Sequence, residues 1–173
     1  LVTKDDERKI VVLSALSGTT NALVEISESL ASGDRSAAKQ QIEVLQQHYQ
    51  HFVLELLQEA ETREKANVVL NEHFEFLTII LKISFSQALN KDILAQGELL
   101  STKLFCIYLE EKKVDHVLLP ALDFMTIDSY DEPQVGTIKV KLAQLLNKHK
   151  DTNIFVTQGY ISRNAKGEVD NLK

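Results

Sequence analysis

Hydroxyl-bearing residues and glycine crowd one short stretch of this 173-residue chain, at Ser14, Ser17, Gly18, Thr19 and Thr20, directly after the apolar run IVVL at 10–13. That β-branched run reads as a strand buried on both faces. Leu23, Val24, Ile26 and Leu30 then follow at helical spacing. Strand, small polar turn and helix together aim backbone N–H groups and hydroxyls from a positive helix end, which suits an anion or a polar substrate. The same residues also make an ordinary turn, with Thr20 or Asn21 as the helix cap and Gly18 relieving backbone strain. Neither GxGxxG nor GxxxxGK followed by Ser or Thr is present.

Two further places carry polar groups that the same chemistry would use. Glu98, in GELLS, reads as a residue near a helix start. There it either complements the helix dipole or faces a cleft and holds a substrate ammonium by a charge-assisted hydrogen bond. Gln158-Gly159-Tyr160 ends an apolar run much as residues 14–20 do. In an open parallel sheet, ligands sit beyond the carboxyl ends of the strands, where all three places can meet. Nothing else in the chain has the form of a known centre. GxSxG and CxxC are absent, and His48 and His51 have i,i+3 spacing without HExxH, so no metal site is expected. Cys106 falls inside an apolar helix and reads as a small buried hydrophobe.

Helical periodicity predicts the elements that position these groups, over residues 21–31, 37–60, 64–89, 94–111 and 137–149. Asp34 or Ser36 caps the second helix. Ile42, Leu45, Tyr49, Phe52, Val53 and Leu56 form its inward stripe, and Leu70, Phe74, Leu77, Leu81 and Phe85 that of the third. The two read as a long helical hairpin around 35–90, and residues 90–93 are expected to break the chain after it. Ile138, Leu142, Leu145 and Leu146 face inward in the last helix. Strands are expected at 10–13, in a short run stopped by Pro120, at 153–157 and at 168–172. Helices alternating with three or four short strands give an α/β layered domain with a mainly parallel sheet.

Composition narrows the function classes. An apolar fraction of 44% argues against disorder, and a net charge of −6 argues against nucleic acid or an anionic membrane as partner. No apolar run is long enough for a membrane span. A single cysteine suits a reducing, cytoplasmic compartment. Residues 1–8 read as a charged approach to the first strand, without an apolar targeting segment.

Three segments, in order and widely spaced, resemble the aspartate kinase family. VVLSALSGTTNALVEI at 11–26 is similar to that family's VVVSAMSGVTNxLV, GELLSTKLF at 97–105 to its GExLS, and TQGYISRNAKGEVDNL at 157–172 to its TxGFIGxxxxGxxTTL. The resemblance covers nearly the whole chain and implies the amino acid kinase fold, in which ATP phosphorylates a carboxylate. It implies that Ser14, Thr20, Glu98 and Gly159 contact the substrate, Glu98 through the substrate's amino group. It also implies that Ser17, Gly18 and Thr19 of the same turn bind the cofactor.

By this resemblance the longer protein uses ATP and Mg²⁺ to make 4-phospho-L-aspartate, the first step toward lysine, threonine and methionine. It acts as a homo-oligomer, alone or joined to a homoserine dehydrogenase. The family opens with KFGGTS and continues with GRGGSD, and neither motif occurs in these 173 residues. The chain is therefore expected to be a partial amino acid kinase domain over 1–173, the substrate-side N-terminal lobe. It is expected to bind no ATP or Mg²⁺ and to be inactive alone. Two places depart from the family. PALDFMTID at 120–128 stands for DARDxxxTD, and Asp170 and Asn171 replace paired threonines.

Overall fold

A computed structural model describes residues 7–172. Most of the expected approach at 1–8 thus lies outside the described residues. The elements run β1 (Lys9–Leu13), α1 (Thr19–Ala31), α2 (Arg35–Leu56), α3 (Ala60–Ile79), α4 (Gln87–Glu111), β2 (Val117–Leu118), α5 (Ala121–Phe124), α6 (Val135–Lys148), β3 (Ile154–Gln158), β4 (Ile161–Arg163) and β5 (Val169–Asn171). β3 is the middle of a parallel sheet ordered β1-β3-β2, with Leu13 level with Gln158 and Leu118 with Val156. β4 and β5 form a separate antiparallel pair. This is the expected α/β class, with strands of both senses.

Every residue of β3 is buried, because helices cover both of its faces. On one side Ile154 and Val156 pack with Cys106 and Leu109 of α4. On the other, Phe155 packs with Leu119, Phe124 and the half-buried Ile138, Leu142, Leu145 and Leu146. Arg8 ties that second layer down, donating from Nη2 to the carbonyls of Leu146 and His149 at the end of α6, 3.1 Å each. The largest cluster lies among α1–α4, around Leu23, Ile26, Tyr49, Leu70, Phe74, Leu77 and Leu104.

Burial of β1 on both faces, expected from its composition, is not found. Val11 and Leu13 face α4, but Ile10 is 44% and Val12 59% exposed. The reason is placement: α6 lies over β3 and β2 rather than β1. Residue type makes a strand, and only the neighbouring layer decides which faces are dry.

The third and fourth helices also divide differently from the expected 64–89 and 94–111. α3 ends at Ile79, a 3₁₀ turn covers Ile80–Lys82, and Ile83 is extended. Ser86 then caps α4, its hydroxyl accepting from the Leu89 N–H at 3.1 Å. The apolar stripe runs on through the break because Leu81 and Phe85 still pack against the core. Asn90 breaks nothing, since its Oδ1 accepts from the Ser27 hydroxyl at 2.6 Å. Glu98 consequently sits about three turns inside α4. The helix-dipole reading of Glu98 falls with the expected boundary. Asp34 does cap α2, accepting from the Ala37 N–H at 2.9 Å. α1, by contrast, starts after Gly18 at φ 83° with no side-chain cap, so neither Thr20 nor Asn21 plays that part. Among the described residues no helix is long and apolar enough to cross a membrane.

A buried histidine joins α3 to the site helix. His73 is 6% exposed and its Nδ1 lies 2.7 Å from Gln96 Oε1. Gln96 Nε2 donates to the Asp92 carbonyl, so its oxygen faces His73, whose Nδ1 carries the proton. Burial, with the Lys103 charge behind it, pushes the imidazole down to about 4 against the Gln96 hydrogen bond and Glu72. An unfolded chain takes up that proton near pH 6.5, so it binds more protons than the fold between about 6.5 and 4. Stability is therefore full above about 6.5 and falls as pH drops, by about 3 kcal/mol at pH 4 from this group. Urea unfolding of wild type and His73→Gln between pH 7.5 and 4 checks it: the difference should carry that slope, and a flat difference contradicts it.

Candidate functional site

The parallel register brings the ends of β1 and β3 side by side, so Ser14 and Gly159 leave the same edge of the sheet. α4 passes beneath that edge and ties both exits down. Ser101 Oγ donates to the Ser14 carbonyl at 2.8 Å. Glu98 Oε2 accepts from the backbone N–H groups of Gly159 at 3.1 Å and Tyr160 at 2.8 Å. Both hydrogen bonds fall on Oε2, and Oε1 has none among the described residues. Glu98 is only 5% exposed; burial pushes its carboxyl above the usual range, while the Tyr160 and Gly159 N–H groups pull it down.

Close approach of α4 to the β1–α1 turn depends on Gly97. A Cβ there would lie 2.9 Å from Ala15 Cβ, 3.2 Å from Thr19 Cγ2 and 3.3 Å from Leu23 Cδ1. Gly159 is tight in the same sense, with 3.0 Å to Val12 Cγ1.

Ser14, Glu98 and Gly159 are thus brought together at one edge. Thr20 lies exposed in the first turn of α1, after Ser17 and Gly18. With no side chain capping α1 and no acidic residue in its first turn, that end is suited to a carboxylate or phosphate oxygen. Thr19 is placed elsewhere: it is buried, and its Oγ1 lies 2.9 Å from the buried Tyr49 hydroxyl. Ser14, Ser17 and Ser101 border a pocket of about 280 Å³ walled by Phe52, Leu104 and Phe105. Ser17 and Gly18 also border a larger cleft of about 470 Å³ between α1 and α2. No group of three or more His, Cys, Asp or Glu among the described residues is placed to hold a metal ion. Chemically, the arrangement offers a carboxylate to a cation and the N-terminus of α1 to an anion.

Sequence reasoning missed the partners that fix these groups. Ser101 and Thr102 follow Glu98 at i+3 and i+4, a spacing that puts all three on one helix face and was the available signal. Tyr49 read only as core. The two departures from the aspartate kinase pattern have local partners, although Thr126 Oγ1 and Asn171 Oδ1 are buried without a hydrogen bond among the described residues. In PALDFMTID, Pro120 precedes the short α5, whose Ala121 and Phe124 are buried, and the Leu122 carbonyl accepts from Arg163 Nε at 3.0 Å. Asp170 pairs with Lys91 of α4. Burial would raise its carboxyl, but the Lys91 ammonium and the Asn171 N–H hold it below the usual range.

No protein-family model matches the chain. Among known proteins it is 29% identical to lysine-sensitive aspartokinase 3 of Escherichia coli K12 over 175 residues, 99% of this chain and 38% of that one. It is also 29% identical over 161 residues to bifunctional aspartokinase/homoserine dehydrogenase 2 of the same organism, 92% of this chain and 20% of that one. The chain thus spans well under half of these relatives. Of solved structures, E. coli aspartokinase III in complex with aspartate and ADP superposes with a TM-score of 0.78 at 28% identity, covering 99% of this chain and 38% of that one. Clostridium acetobutylicum aspartate kinase shares the fold, with a TM-score of 0.74 at 16% identity over 98% of this chain and 36% of that one.

Proposed function

We propose, from the premise that this chain is homologous to the aspartokinases of the amino acid kinase family, that it forms the aspartate-holding side of a kinase making 4-phospho-L-aspartate from L-aspartate and ATP. One observation carries the reading. A buried carboxylate, Glu98, is fixed on one oxygen by the Gly159 and Tyr160 N–H groups beside the exit of β1, and its other oxygen has no hydrogen bond among the described residues. A carboxylate held this way can accept a charge-assisted hydrogen bond from a cation on its second oxygen. The ammonium of aspartate supplies one on Oε1, and the substrate's own carboxylates then turn toward Ser14, Thr20 and the uncapped end of α1. Aspartate as the substrate is supported by the likeness to aspartokinase III, solved in complex with aspartate and ADP.

The chain's part in the reaction is positioning. A carboxylate oxygen of aspartate attacks the γ-phosphorus of ATP, ADP leaves, and charge on the transferring group must be neutralised in place. When bound, Mg²⁺ supplies that neutralisation together with cationic and glycine-rich loops of the KFGGTS and GRGGSD type, which these 173 residues do not contain. The residues present hold the ammonium and orient the acceptor. The whole protein is read as a homo-oligomeric, cytoplasmic enzyme of amino-acid biosynthesis.

A hydroxamate assay with aspartate and ATP, run on the full-length protein and on the 173-residue chain, tests both halves. Trapped acyl phosphate is expected from the full-length protein and none from the chain alone. Turnover by the chain would overturn its expected inactivity. A folded but silent full-length protein would overturn the kinase reading in favour of a non-catalytic module that keeps the fold.

A further inference from the structure

We propose that Gln158 is a positioning residue for the substrate ammonium, acting through Thr102 on the turn of α4 that carries Glu98; the inference rests on the kinase reading above. Gln158 ends β3, one residue before the N–H groups that Glu98 receives, yet its own side chain points inward and is 4% exposed. Its Oε1 accepts from the Ala121 N–H at 2.7 Å, at the start of α5. Its Nε2 donates to Thr102 Oγ1 at 2.7 Å. Thr102 is fully buried and passes the link on, donating to the Glu98 carbonyl at 2.8 Å.

The end of β3 is therefore clamped to α4 twice around one residue. Gly159 and Tyr160 hold the Glu98 carboxylate, and Gln158, through Thr102, holds the Glu98 backbone carbonyl. Only an amide serves both ends of the second clamp, because Ala121 needs an acceptor and the Thr102 oxygen needs a donor. A glutamate would present an oxygen to Thr102, and a leucine would leave a buried N–H unpaired. Neither Gln158 nor Thr102 is exposed to a ligand, so both act by fixing where the Glu98 oxygens lie relative to the strand ends.

Steady-state kinetics of the full-length protein decide it. Gln158→Leu and the near-isosteric Thr102→Val are each expected to raise KM for aspartate about tenfold, with KM for ATP moving less than about twofold. Thr102→Ser keeps the hydroxyl and is expected to return KM for aspartate to within about twofold of wild type. If Gln158→Leu does not fold, the Thr102 pair still decides. An active wild type with unchanged aspartate KM in Thr102→Val overturns the inference alone. So does an equal loss toward both substrates, which marks a merely structural role. A wild type without aspartate-dependent turnover overturns the kinase reading and this inference with it.

Discussion

Full-length protein carrying Glu98→Ala is expected to need on the order of 100-fold more aspartate for half-saturation, while its requirement for ATP changes little. Two losses combine. The charge facing the ammonium disappears, and a hydrogen bond to a charged group contributes about 1.5–3 kcal/mol. The Gly159 and Tyr160 N–H groups, 3.1 Å and 2.8 Å from Glu98 Oε2, also lose their acceptor, so the turn that borders the substrate loosens. ATP makes no contact with Glu98 in this account, and the selectivity of the effect is its signature. A shift of less than about threefold for aspartate, or an equal shift for ATP, contradicts it.

Gly97→Val is expected to destabilise the fold by about 3 kcal/mol. A Cβ at this position would lie 2.9 Å from Ala15 Cβ, an atom fixed to the backbone that cannot rotate away. Thr19 Cγ2 and Leu23 Cδ1 close the other sides at 3.2 and 3.3 Å. Two effects compete in the smaller change Gly97→Ala: a better helix former offers about 1 kcal/mol, and the overlap opposes it. The branched valine adds methyl groups on the crowded side and removes the ambiguity. Because Ala15 follows Ser14, relief of the overlap moves the β1–α1 turn, so aspartate affinity should fall with stability. Urea unfolding followed by circular dichroism measures the first effect, and wild-type stability in Gly97→Val contradicts it.

What the sequence made legible was local. The run at 10–13 and NIFVT at 153–157 announced the paired strands β1 and β3, and the stripes on α2 and α3 announced the largest core. Polar residues at the strand exits marked the edge where Ser14 and Gly159 meet. Periodicity could not locate the break before α4, because Leu81 and Phe85 stay apolar through a segment that is not helical. That single boundary made Glu98 read as a residue of a first turn. β4 was not among the expected strands, its pairing with β5 being a property of the hairpin rather than of three residues. The contacts that define the site are longer in range still. Thr19 meets Tyr49, Gln158 meets Thr102, and Glu98 meets Tyr160, across 30, 56 and 62 residues. No spacing rule reaches that far.

The most direct test of the central claim, that the Glu98 carboxylate reads the substrate's ammonium, compares L-aspartate with succinate, which lacks only the amino group. Binding of each to full-length wild type and Glu98→Gln is the measurement. The glutamine keeps an oxygen for the Gly159 and Tyr160 N–H groups and puts a neutral NH₂ donor where the charged oxygen would meet the ammonium. Wild type is expected to prefer aspartate by roughly tenfold or more, and Glu98→Gln to bind the two about equally. An undiminished preference for aspartate in Glu98→Gln would show that another group recognises the ammonium.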